Sequence, residues 1–149
     1  MLGFQQEQQA VVRQAIADAG EGEWTSLYVE LVTLGDVTSV EFLRKVLGGQ
    51  DRVTDTTVHR PYRVLRKAMT TDEHGAWLSS SVTIERDGRY SFSFNYDEEP
   101  RWADGLPVER EGFLADLQRN PRPWAEIPDW HPVKQDYTEE SWSAETKVF

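Results

Sequence analysis

Three adjacent acids, Asp97, Glu98 and Glu99, stand directly before Pro100, Arg101 and Trp102. A carboxylate pair can divide acid and base work when a cleft gives its two members different environments. Adjacent acids at the end of a strand more commonly form a solvated rim, and nothing in the sequence marks such a cleft. The three histidines, His59, His74 and His131, lie far apart and lack the spacing of metal ligands. His74 sits in TDEHG beside Asp72 and Glu73, where a polar turn before a strand is the plainer reading than a metal site. The chain has no cysteine, which excludes disulfides, thiolate zinc sites and thiol catalysis. Gly48-Gly49 lacks the following Lys and Ser/Thr of a phosphate loop, and no Gly-x-Ser-x-Gly elbow is present. No catalytic residue, metal ligand or cofactor site is therefore assigned.

The run YDEEPRWADG is more informative as a surface. Tyr, Trp and Arg are the types enriched at interface hot spots, and acids around them steer a basic partner. Asp97, Glu98, Glu99, Trp102 and Asp104 are the candidate partner-binding residues. The plainer reading is that Tyr96 and Trp102 anchor the core while the acids face water; the two readings are compatible.

A hairpin must position this loop. Tyr90, Phe92, Phe94 and Tyr96 alternate with Ser91, Ser93, Asn95 and Asp97, the period of a half-buried strand. Leu78, Val82 and Ile84 mark its partner, with Asp87-Gly88 between. A two-residue loop would put the apolar residues of the two strands on opposite faces, which a sheet with one buried face rejects. A three-residue loop, Arg86-Asp87-Gly88, sets Ile84 opposite Tyr90, Val82 opposite Phe92 and Leu78 opposite Tyr96. It needs positive φ at Gly88 and brings Glu85 opposite Arg89.

The remaining elements read as follows. Residues 4–19 form an amphipathic helix carrying Phe4, Val11, Val12, Ala15, Ile16 and Ala19, capped by Gly20. Trp24 to Leu34 is a strand with Leu27, Val29 and Leu31 on one face and Trp24, Ser26, Tyr28, Glu30 and Val32 on the other. Val37 to Val46 fits a short helix behind a Thr38–Glu41 capping box or a second strand; the preceding Gly35-Asp36 turn favours the strand. GGQDRVTDT reads as a loop. A helix starts near Pro61 with Tyr62, Leu65 and Met69 inward and Arg63, Arg66 and Lys67 outward. A third helix runs from about Pro107 to Gln118 with Phe113, Leu114 and Leu117 inward. Four prolines in NPRPWAEIPDWHP forbid a regular helix or central strand there, and Trp124, Ile127 and Trp130 are spaced to pin that stretch to the body. The expected fold is α+β: an antiparallel sheet of about four strands, helices mainly on one face, one domain over 1–132. A polar tail, 133–149, carries Tyr137, Trp142 and Phe149. Its composition alone calls for disorder, so order there would need the body, a second copy or a partner.

The chain has 149 residues and a net charge of −10, enough length for one self-sufficient core. The acidic excess argues against nucleic acid as a direct ligand and favours a basic partner. The start MLGFQQEQQ is no signal peptide, and no apolar run approaches a membrane span, so the expected location is cytoplasmic.

The order helix, Trp-led strand, VLRKAM helix, IERDGRYSFSFNYDEEPRW hairpin, FLADLQRNPR and IPDW resembles the YezG-like immunity proteins (antitoxins) of bacterial polymorphic-toxin systems. The similarity covers about residues 5–131 and leaves out the tail. It implies a non-enzymatic inhibitor that binds a cognate toxin domain, often a nuclease, and needs no cofactor; a homo-oligomer is compatible with it. A small-ligand-binding or regulatory α+β domain is the alternative, and a small carboxylate hydrolase ranks below both.

Overall fold

The aromatic alternation around Asp87-Gly88 forms a hairpin in the computed structural model of the protein, which describes residues 3–146. Val82 stands opposite Phe92 and Ile84 opposite Tyr90, the register that the three-residue turn requires. Gly88 has φ 95°, its N–H donates to the Glu85 carbonyl at 2.9 Å, and the Glu85 N–H donates to the Arg89 carbonyl at 2.8 Å. A side chain is strained at that φ, so the turn demands glycine. The Arg89 guanidinium pairs with Asp87 at 2.8 Å, and not with Glu85 as expected. Asp87 already accepts the Arg89 backbone N–H at 3.1 Å, which holds its carboxylate within reach.

In chain order the elements are α1 (Gln5–Ala19), β1 (Trp24–Leu34), β2 (Val37–Val46), β3 (Gly49–Arg52), α2 (His59–Met69), β4 (Ser79–Glu85), β5 (Tyr90–Asn95), α3 (Arg110–Arg119), a 3-10 turn (Trp124–Glu126), α4 (Pro132–Asp136) and α5 (Glu139–Thr146). The strands make one antiparallel sheet in the order β3-β2-β1-β4-β5. The fold is α+β in a single domain, with five strands where about four were expected. The added strand, β3, lies in the stretch read as loop. Its residues are all exposed, so no apolar alternation marks it; the ladder to β2 and the Arg44–Asp51 pair at 2.7 Å hold it. The ambiguous segment 37–46 is a strand, and the Thr33 and Thr38 hydroxyls share a hydrogen bond across its turn at 2.9 Å.

The register builds the core in rows: Phe42, Val29, Val82 and Phe92 lie side by side across β2, β1, β4 and β5. Val11, Val12 and Ala15 of α1 and Tyr62 and Leu65 of α2 bury that face. The Tyr62 hydroxyl bonds to Ser80 at 2.7 Å, and its ring meets Trp77 and Phe92 edge-on. Burial pushes the Tyr62 phenol above its ordinary range. Thr83, Ser91 and Ser93, on the other face, stay in water. Several expectations are corrected. Phe4 and Ile16 remain exposed at the margin of α1. Trp24 joins the helix-covered core because the ladder slips between Trp24 and Ser26; the Arg86 guanidinium lies 4.3 Å over its ring. The helices α2 and α3 begin at His59 and Arg110, with Pro61 inside the first turn of α2.

The body packs the described part of the tail, residues 133–146. Val133 is fully buried with Leu117 and Ile127, while Tyr137 and Trp142 pack on them with ring centroids 5.0 Å apart. Phe149 lies outside the described residues. Among the described residues no helix is long and apolar enough to cross a membrane.

Candidate functional site

The acidic loop leaves β5 under close restraint. The Asn95 side-chain oxygen accepts the backbone N–H groups of Asp97 at 3.2 Å and Glu98 at 2.8 Å, and its amide donates to the Glu98 carbonyl at 2.9 Å. Trp130 Nε1 donates to the Asp97 carbonyl at 2.8 Å. Arg122 donates to the Tyr96 carbonyl at 2.7 Å, to the Asp97 carboxylate at 3.0 Å and to the Glu126 carbonyl. The Arg122 side chain is only 8% exposed, and its stem lies so close to Gly75 that an added Cβ there would meet Cγ at 2.7 Å. At the far end the Trp102 N–H donates to the Leu106 carbonyl at 2.9 Å, and the Asp104 carboxylate accepts the Leu106 N–H at 2.9 Å. The Ala103 N–H donates to Ser39 Oγ at 3.0 Å, which ties the loop to β2. A loop fixed in this way has little freedom left to lose on binding.

The five residues singled out in the sequence fall into three kinds. Glu98, Glu99 and Asp104 are exposed. Asp97 is also exposed, but its carboxylate is engaged by Arg122. Trp102 is half-buried: its ring packs against the cluster of Val32, Leu34, Leu78, Val108 and Phe113, and it lines a shallow hollow with Val37, Ser39, Ala103 and Asp104. Trp102 is thus partly the core anchor of the plainer reading. Beside it Val37 and Leu106 are 53% and 61% exposed.

A second region was not assembled from sequence. Arg66, expected to point outward, is buried against α3, where its guanidinium forks onto Asp116 at 2.9 and 2.8 Å and its Nε donates to the Trp77 carbonyl at 2.7 Å. Asp116 also accepts the Gly35 N–H at 3.3 Å. Both side chains are under a tenth exposed, at 9% and 7%, and a buried charge persists only when paired and hydrogen-bonded in this way. This pair floors a cleft of about 520 Å³ between α2, α3 and the β1–β2 turn. Arg60, Arg63 and Lys67 from α2 and Arg119 from α3 line it. Arg119 grips the exposed Asp36 of the turn at 2.6 and 3.1 Å, which holds that carboxyl below its usual range; Arg63 adds to the effect.

His131 lies between the two regions. It caps α4, its Nδ1 accepting the Val133 N–H at 3.1 Å, and it packs on Phe113 and Trp130. Burial, and then the charge of Arg122, push its pKa down to about 4. His74 is exposed and meets Glu126 at 3.5 Å, and His59 opens α2, so the structure does not bring the histidines together. Among the described residues no three His, Asp or Glu side chains are grouped to hold a metal ion.

The sequence signal for the cleft was the basic side of VLRKAM on an acidic chain. The clamp by Arg122 had no signal beyond its place between two prolines. No family model and no curated protein matches the chain.

Proposed function

We propose that the protein is an immunity protein that binds and neutralises a cognate toxin domain through protein–protein contact. The observation that carries this reading is the pre-shaped loop. It combines exposed acids at Glu98, Glu99 and Asp104 with a half-exposed Trp102 and the apolar Val37 and Leu106. An aromatic anchor inside a charged rim is the arrangement expected at a hot spot. The acidic rim suits a basic partner, as a nucleic-acid-cutting toxin would be, and complementary charge speeds encounter. The resemblance to the YezG-like family points the same way.

The test pairs the full chain with the toxin domain encoded beside its gene. The expected result is a stable complex in purified form and protection of cells that express the toxin. A neighbouring gene product that neither binds the chain nor is neutralised by it refutes the reading.

A further inference from the structure

The helix α2 sends Arg60, Arg63 and Lys67 to one side at i, i+3 and i+7, and that side lines the cleft. None of the three is in an ion pair among the described residues. On a chain of net charge −10, three unpaired cations at one concavity are not an outcome of bulk composition. The Arg66–Asp116 pair beneath them fixes α2 to α3 and so fixes the spacing between the α2 cations and Arg119.

We infer that this cleft binds a small anion carrying two phosphate groups. Arginine forks match the oxygens of phosphate two at a time. The rim already holds one anion in that geometry: the Asp36 carboxylate sits on the Arg119 fork, and at 81% exposure it stands on a turn from which a stronger anion displaces it. Each phosphate group carries about −1.5 to −2 at neutral pH, so two of them match the unpaired cations. A peptide brings one charge per acidic residue, and same-side residues of an extended strand lie about 7 Å apart, too sparse for a cavity of about 520 Å³. Among the described residues no aromatic side chain lines the cleft, so they offer no stacking platform of the kind single-stranded nucleic acid uses. The inference does not rest on the immunity reading, because no protein partner enters it.

The experiment is calorimetric titration of the full chain at low salt with inorganic pyrophosphate, orthophosphate and a hexaglutamate peptide. Pyrophosphate is expected to bind at least about tenfold more tightly than either of the others, a difference of about 1.4 kcal/mol. The double variant Arg63→Ala, Lys67→Ala is expected to lose that binding about tenfold or more while its urea midpoint stays at the native value, since both side chains are exposed. Asp36→Asn is expected to bind pyrophosphate several-fold more tightly, because it frees the Arg119 fork; a generally loosened fold would not produce that gain. The inference is overturned by absence of pyrophosphate binding, by equal affinity in the double variant, or by tighter binding of hexaglutamate.

Discussion

On one side of the β1–β2 turn, cations line a cleft whose floor is a buried ion pair; on the other, Asp104 shares a hollow with a Trp anchored by an apolar cluster. Gly35 belongs to the first region, and Val37 and Ser39 to the second. The two use charge in different ways. In the cleft a charged pair is part of what holds α2 to α3. In the loop, backbone hydrogen bonds and the Arg122 clamp set the shape, and Glu98, Glu99 and Asp104 are left in water. The contrast teaches that exposure separates structural charge from charge free for a partner better than local density does. The acids that crowd the sequence at 97–99 are mostly free, whereas Arg66, one of several cations on α2, is structural.

Removing one partner of the buried pair is the strongest way to test that contrast. Asp116→Ala leaves the Arg66 guanidinium buried and uncompensated, with an expected loss of about 3–5 kcal/mol in urea unfolding. Replacing both, as Arg66→Met with Asp116→Leu, is expected to restore most of it. A single Asp116→Ala loss below about 1 kcal/mol would place this pair with the exposed ones, which contribute little.

His131 offers a pH test, since it feels Arg122 of the loop clamp and Asp116 of the cleft floor. Its folded pKa is about 4 and its unfolded value about 6.5, so the unfolded chain takes up the proton first as pH falls. The stabilisation is complete above pH ~6.5 and is lost between there and about 4, amounting to roughly 3 kcal/mol. His131→Asn keeps a side-chain oxygen to accept the Val133 N–H and removes this titration. The expected result is a flatter curve of stability against pH across that window, measured by urea midpoints. An unchanged curve would mean that other groups govern it.

Phe92→Ala addresses how much of this was legible beforehand. The strand, its register and the turn at Gly88 were readable because alternation over eight residues admits only one pairing that keeps both apolar sets on one face. The cost of the substitution was not readable: Phe92 suggests a core position at about 3–5 kcal/mol. In the sheet order β5 is an edge strand, and Phe92 is only half-buried, so about 2–3 kcal/mol is expected. Ser93→Ala is expected to cost under about 0.5 kcal/mol. The loop residues at 97–104 were legible as types, since acids beside aromatics are visible locally. The cleft was not, because Arg66 and Asp116 are fifty positions apart and periodicity says nothing about which cation turns inward. β3 was missed for a related reason: backbone pairing alone holds it, and no side-chain pattern records that.

The smallest effect expected on the fold is the one most informative about function. Glu98→Lys with Glu99→Lys changes two exposed side chains, and the Asn95 bonds that shape this part of the loop go to the backbone. Stability is therefore expected to stay within about 0.5 kcal/mol of native, in contrast to Asp116→Ala. Binding to the proposed toxin partner is expected to change chiefly in association rate, because exposed rim charges act on encounter. At low salt the rate should fall about tenfold or more, and the gap from the native protein should narrow as salt is raised, with screening over about 10 Å at 0.1 M. Dissociation should move little, since the half-buried Trp102 and its apolar neighbours remain in place. Rapid-mixing kinetics at two salt concentrations measures both rates. A folded double variant that associates at the native rate in low salt and still protects cells would remove the acidic loop from the interface. A variant that associates normally but dissociates faster would give these acids direct, desolvated contacts, and the free charge of the loop would then act in the bound complex as the charge of the cleft floor acts in the fold.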